Sequence, residues 1–187
     1  MDCLVLTILS QNTNDKLRDQ AYQQLVRMFP SWDRVLEAPT EEIARTIAKA
    51  GLSNQKSSAV KRLLMWSKQW DHDLSWMCEA EPQEAYETLT AIKGIGDKTA
   101  KVCLLFCCHM PFFPVDTHIS RVSKRLGIAK PNWDRQKISQ RFQEMFPPQS
   151  FYHLHINLIE LGRRVCKPRK PLCNQCPVES VCLKRGI

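Results

Sequence analysis

The chain contains no apolar run near the roughly 18 residues that would cross a bilayer, so no membrane span is expected. Its first residues, MDCLVLTILSQN, lack the basic leader and cleavage site of a secretory signal. Apolar–polar alternation of strand length is missing, and no long-range repeat or low-complexity tract stands in its place. Glycine is scarce, at 6 of 187 residues, so the few glycine turns carry information. Acidic side chains are in deficit: 19 Asp and Glu against 27 Lys and Arg leave a formal charge of +8. That surplus suggests a polyanionic partner, most simply nucleic acid, although extra lysine also serves solubility. Together these features lead to the expectation of a soluble, intracellular protein, placed in the cytoplasm. A hydrophobic share of 43% with 25% charged residues is ordinary for one or two compact domains and excludes disorder.

What is present is helical spacing. Leu17, Ala21, Leu25 and Met28 fall on one face, as do Ile43, Ile47 and Ala50. Phe151, Leu154, Leu158, Leu161 and Val165 make a stripe on a longer helix. Leu4, Val5, Leu6, Ile8 and Leu9 predict a helix apolar nearly all round and therefore central. Pro30-Ser31 and Pro39-Thr40 each end one segment and offer an N-cap for the next, and Gly51 closes the helix that begins near Glu41. The expected fold is all-α, with roughly ten helices. Pro111-Phe112-Phe113-Pro114 interrupts the pattern and suggests a junction, giving a helical lobe over 1–112 and a second over 113–187.

Nine cysteines need a reason. A secreted disulfide scaffold is not expected, because the count is odd and nothing directs export. Cys3, Cys78, Cys103, Cys107 and Cys108 lie in or beside apolar stretches and read as small core residues. Cys166, Cys173, Cys176 and Cys182 crowd into the last 22 positions with the spacing C-x6-C-x2-C-x5-C, a ligand pattern. From spacing alone, four thiolates suit either zinc or an iron–sulfur cluster. Lys167-Pro168-Arg169-Lys170-Pro171-Leu172 between the first two ligands is a short, stiff, basic loop suited to phosphates, Arg169 and Lys170 in particular.

Leu89-Thr90-Ala91-Ile92-Lys93-Gly94-Ile95-Gly96-Asp97-Lys98-Thr99-Ala100 joins two apolar-faced helices, over about 82–108, through a G-x-G turn. Gly94 and Gly96 permit a tight turn and close approach to a ligand, and the second helix starts with free N–H groups that suit a phosphate. Asp116 follows Lys98 by eighteen residues, within Val115-Asp116-Thr117-His118. With these two motifs and the C-terminal cysteines in order, the chain resembles the endonuclease III family of helix-hairpin-helix DNA glycosylases, from Leu9-Ser10-Gln11-Asn12 to Cys182.

The resemblance implies a two-lobed helical fold holding duplex DNA that contains a damaged base or an abasic site, acting as a monomer, associated with the nucleoid. It implies Lys98 as nucleophile and Asp116 as the essential carboxylate. An amine that attacks the sugar C1′ expels the base and leaves a Schiff base, which permits β-elimination of the 3′ phosphate; a hydroxyl or carboxylate forms no imine. The attacking amine must be neutral, and a helix start disfavours the ammonium. Asp116 would accept the amine's proton or stabilise positive charge on the sugar. An extruded base leaves a gap to be filled. The family places a polar residue there, which the order Ser10-Gln11-Asn12 leaves as Gln11 or Asn12, and Leu52 matches its apolar wedge. His118 either contacts DNA or hydrogen-bonds within its own turn.

By the same resemblance the four cysteines hold a [4Fe-4S] cluster, structural because four thiolates leave no open position for a reacting water. The family's N-terminal helix, packed on the cluster lobe, is expected to be missing. The expected activity is a bifunctional glycosylase and abasic-site lyase that removes an oxidised pyrimidine. The alternatives are a glycosylase for another lesion or mismatch, and a non-catalytic helix-hairpin-helix DNA-binding protein. A zinc-bound architectural protein is the weakest of them.

Overall fold

The computed structural model describes residues 1–187 and is all-helical, with ten α-helices, six short 3-10 turns and no strand. The chain divides into two compact units, Met1–Cys108 and His109–Ile187. No helix is long and apolar enough to cross a membrane.

The first unit holds seven helices: α1 (Asp2–Leu9), α2 (Asp15–Met28), α3 (Trp32–Glu37), α4 (Thr40–Thr46), α5 (Ser53–Ser67), α6 (Pro82–Ala91) and α7 (Asp97–Cys108). Local chemistry sets their starts. Asn14 and Ser31 accept from the backbone N–H groups of Leu17 and Arg34 at 3.0 and 3.3 Å, and Pro82 occupies the first position of α6, where its missing N–H costs nothing. Helix α1 is central: Leu4, Val5, Ile8 and Leu9 are buried, and α1 packs against α2, α5 and α7.

Several expectations shift in detail. Thr40 is not an N-cap; Pro39 holds that position with no side-chain bond. Helix α4 stops at Thr46, and Gly51, at φ +69°, instead closes the 3-10 turn Ala48–Ala50. Only Ala21 and Leu25 of the α2 stripe are buried, whereas Leu17 and Met28 are exposed.

The second unit holds α8 (Thr117–Leu126), α9 (Arg135–Met145) and α10 (Phe151–Arg164). Its core is aromatic: Phe113 stacks on Phe142 at 4.3 Å between ring centroids and meets Phe151 edge-on at 5.6 Å. The buried stripe of α10 is Phe151, His155, Leu158 and Gly162, rotated from the expected one. His155 replaces Leu154 inside because its Nδ1 donates to the Pro114 carbonyl at 3.0 Å, which satisfies a backbone group that leucine would leave unpaired.

The cysteine reading needs the largest correction. Only Cys103 is a core residue; Cys3 pairs with Cys107, and Cys78 with Cys108, across Cα–Cα distances of 6.1 and 4.8 Å. Both bridges tie the C-terminal end of α7, one to the start of α1 and the other to the 3-10 turn Ser75–Cys78. The partners lie 104 and 30 residues apart, so only folding brings them together. Cys103 Sγ sits 3.5 Å from Cys107 Sγ, and burial pushes its thiol up to about 12. Alkylation of denatured, metal-free protein without reductant should modify five thiols, rising to all nine after reduction. Nine modified thiols without reductant would show that the bridges do not form.

Candidate active site and DNA-contact residues

The turn between α6 and α7 is built around Gly94. Its φ is +107°, and a Cβ placed there would lie 2.9 Å from Ala59 Cβ and 3.0 Å from an Arg62 guanidinium nitrogen. Only glycine meets both demands. Arg62, on α5, donates its Nε–H to the Lys93 carbonyl and so fixes the turn from beneath. Gly96 by contrast has open space around it, as a surface meant for close approach requires.

Lys98 lies in the first turn of α7 and is half-buried. Its neighbour Asp97 is already engaged: Lys101 Nζ sits 2.8 Å from Asp97 Oδ1, and the Tyr86 hydroxyl donates to the same oxygen at 2.9 Å. Burial first, then the Asp97 carboxylate, pushes the Tyr86 hydroxyl up to about 12, so it stays a donor at neutral pH. Thr99, the next residue, is buried and accepts from Gln11 Nε2 at 3.1 Å.

That bond separates the two candidates for the gap. Gln11 is held inward on α7, whereas Asn12 is exposed in the left-handed region at φ +50°. Leu52, the other wedge candidate, is likewise left-handed at φ +49° and 45% exposed, an unusual setting for a branched apolar side chain. Between these loops lies Lys56 of α5, a residue that the sequence did not single out. It is 1% exposed, and its Nζ donates to the Leu9 carbonyl at 2.8 Å and the Ala50 carbonyl at 2.7 Å. Burial pulls its amine down to about 8.

In the second unit Asp116 is the N-cap of α8, its Oδ1 accepting from the Ile119 N–H at 2.8 Å. One carboxylate oxygen is thus structural. His118 bonds within its own unit: its Nδ1 lies 3.1 Å from an Arg121 guanidinium nitrogen, and since arginine only donates, Nδ1 accepts and the ring proton is on Nε2.

The four C-terminal cysteines are free thiols that line one small pocket, together with Leu161, Val165 and Val178. Arg125 Nη1 lies 3.5 Å from Cys166 Sγ, and the Lys184 N–H lies 3.4 Å from Cys182 Sγ. Cationic and amide donors aimed at sulfur inside apolar walls suit a thiolate-bound inorganic group. No three of the protein's His, Cys, Asp or Glu side chains converge as ligands of a single metal ion. Arg169 and Lys170 are exposed, and hydrogen bonds from α8 help to hold the loop bearing them: Arg125 donates to the Lys167 and Pro168 carbonyls at 2.6 and 2.9 Å, and Arg121 to the Cys166 carbonyl at 2.9 Å. Both arginines lie one turn apart on α8, a helical pair visible in the sequence once the loop is known to need donors.

Residues 5–148 match the HhH-GPD superfamily of base excision DNA repair proteins. The chain belongs to that superfamily. Among HhH-GPD relatives it is 38% identical over 181 residues to an endonuclease III of Sulfolobus acidocaldarius, a match that covers 96% of this chain and 79% of the relative. An endonuclease III of Thermotoga maritima is 27% identical over 179 residues, covering 96% and 80%. The fold matches an endonuclease III trapped as a covalent intermediate with DNA at a TM-score of 0.83 and 25% identity, over 97% of this chain and 82% of that one. A thermostable thymine-DNA glycosylase shares the HhH-GPD fold at a TM-score of 0.78 and 20% identity, over 97% and 82%. This protein is an enzyme of DNA base excision repair, and double-stranded DNA is its partner.

Asp116 can be divided by substitution into cap and carboxylate. Asp116→Asn retains an acceptor for the Ile119 N–H and should leave thermal stability nearly unchanged, whereas Asp116→Ala should cost about 1 kcal/mol. Equal destabilisation of both variants in thermal melts would show that the cap does not depend on the side-chain oxygen.

Proposed function

We propose that Lys98 and Asp116 carry the chemistry of this bifunctional DNA glycosylase and abasic-site lyase, and that its substrate is an oxidised pyrimidine in duplex DNA. The observation that carries the reading is the presentation of Lys98. A glycine turn with open space at Gly96 delivers a half-buried amine at the start of a 12-residue helix, where free N–H groups suit a phosphate. Mere DNA binding requires no lysine of this kind.

In this reading Lys98 Nζ attacks C1′, forming a C–N bond as the glycosidic bond breaks and the base leaves with the bonding electrons and a proton. Opening of the sugar ring gives a Schiff base. Loss of a C2′ proton then drives departure of the 3′ phosphate, and water releases the lysine. Asp116 takes the amine's proton or stabilises positive charge on the sugar. Asn12 faces the orphaned base and Leu52 enters the stack, while Gly94 and Gly96 bring backbone N–H groups to phosphate and His118 orders the turn beside Asp116. Cys166, Cys173, Cys176 and Cys182 would hold a [4Fe-4S] cluster, whose contribution is to staple the C-terminal loop. We place the enzyme in the cytoplasm, on its DNA substrate.

Borohydride reduces an imine to a stable amine, so wild-type protein on a duplex with one oxidised pyrimidine should give a covalent protein–DNA band. Lys98→Ala should give none and still bind. Trapping by Lys98→Ala would remove this residue from the mechanism, and failure of the folded wild type on both this lesion and a plain abasic site would favour a non-catalytic binding protein. Replacing Arg169 and Lys170 with Ala should weaken DNA binding and lower the slope of log affinity against log salt by about two. An unchanged slope would mean that the loop does not touch phosphates.

A further inference from the structure

Lys56 has no part in the chemistry above, and its burial is costly: a cationic side chain at 1% exposure gives up its hydration. Its two partners explain where that cost is recovered. The Leu9 carbonyl ends α1 and the Ala50 carbonyl ends the 3-10 turn, so both are helix-end acceptors without a helical donor, lying at the negative ends of backbone dipoles. Water could satisfy each of them separately. A single amine satisfies both and, in doing so, joins them.

What it joins lies immediately downstream. Leu9 precedes Asn12 by three residues and Ala50 precedes Leu52 by two, and these are two of the seven non-glycine residues in left-handed backbone, at φ +50° and +49°. Non-glycine residues persist in that region only where the surroundings over-determine them. The network continues on both sides. Gln11 reaches Thr99 beside Lys98, and within the next two turns of α5, Ala59 and Arg62 meet Gly94 and the Lys93 carbonyl. Lys56, Ala59 and Arg62 of α5 therefore register every loop of the first unit assigned to DNA.

We propose that Lys56 is a positioning residue for base extrusion, its amine bridging the Leu9 and Ala50 carbonyls and thereby setting the separation of Asn12 and Leu52; the proposal rests on the reading that those two side chains enter the duplex. The defect on its removal is specific to substrates whose base must be displaced, because misplacing the two wedges by an ångström weakens extrusion. An abasic site carries no base to extrude.

The test compares Lys56→Met, which keeps length and loses both donors, with wild type under single-turnover conditions on two duplexes. One bears an oxidised pyrimidine and the other a preformed abasic site. Excision should fall roughly tenfold or more, and cleavage of the abasic duplex should stay within about threefold. In an Asn12→Gly/Leu52→Gly background the same substitution should add little further loss, since the pair it positions is gone. Lys56→Gln, whose shorter side chain keeps a polar end but would not span both carbonyls, carries the same comparison should the methionine variant not fold. An equal fall on both duplexes, no fall on either, or a full additive loss in the double-glycine background would each overturn the proposal. A wild type that traps on neither duplex would instead overturn the glycosylase and lyase reading on which it rests.

Discussion

Short helices leave many backbone carbonyls at their ends without donors, and this protein satisfies them with long cationic side chains. Lys56 serves Leu9 and Ala50, Lys61 reaches the Ala38 carbonyl at 2.6 Å, and Arg62 serves Lys93. In the second unit Arg121 serves Gly162 and Cys166, and Arg125 serves Lys167 and Pro168. In every case the carbonyl ends a helix or begins a loop that carries a site residue. Lysine and arginine suit the task because their stems lie along apolar surface while the head group finds an oxygen several residues away in space.

This use of cations changes the meaning of the net charge. The surplus of +8 points toward DNA, yet several cations beside the loops proposed to contact it donate inward and set backbone positions. In the proposed function phosphate is met instead by backbone N–H donors at the glycine turn and by exposed cations such as Arg169 and Lys170. Affinity and positioning are thereby supplied by different residues. Salt screens the exposed cations strongly and the buried ones hardly at all.

Much of the fold was legible because its signals are local. Ser31 and Pro82 mark helix starts through bonds to their own first turn or through a missing N–H. The apolar run of Leu4 to Leu9 announced a central helix, and the turn at Gly94 declared a φ that only glycine adopts freely. The four C-terminal cysteines lie within 17 positions of one another, so their lining of one pocket is likewise a local outcome. The α10 stripe differs by one position because His155 is buried against a partner, the Pro114 carbonyl, that lies 41 residues away in sequence.

The sequence by itself determined the helical class, the hairpin, the order of the motifs and the residue types on which imine chemistry depends. These follow from spacing, and spacing is a property of the chain. Tertiary structure alone decided that four of five apparent core cysteines pair, that Gln11 turns inward while Asn12 does not, and that a lysine on α5 holds two loops at once. Each of those outcomes requires two atoms distant in sequence to arrive within bonding reach, and composition and periodicity carry no record of that meeting.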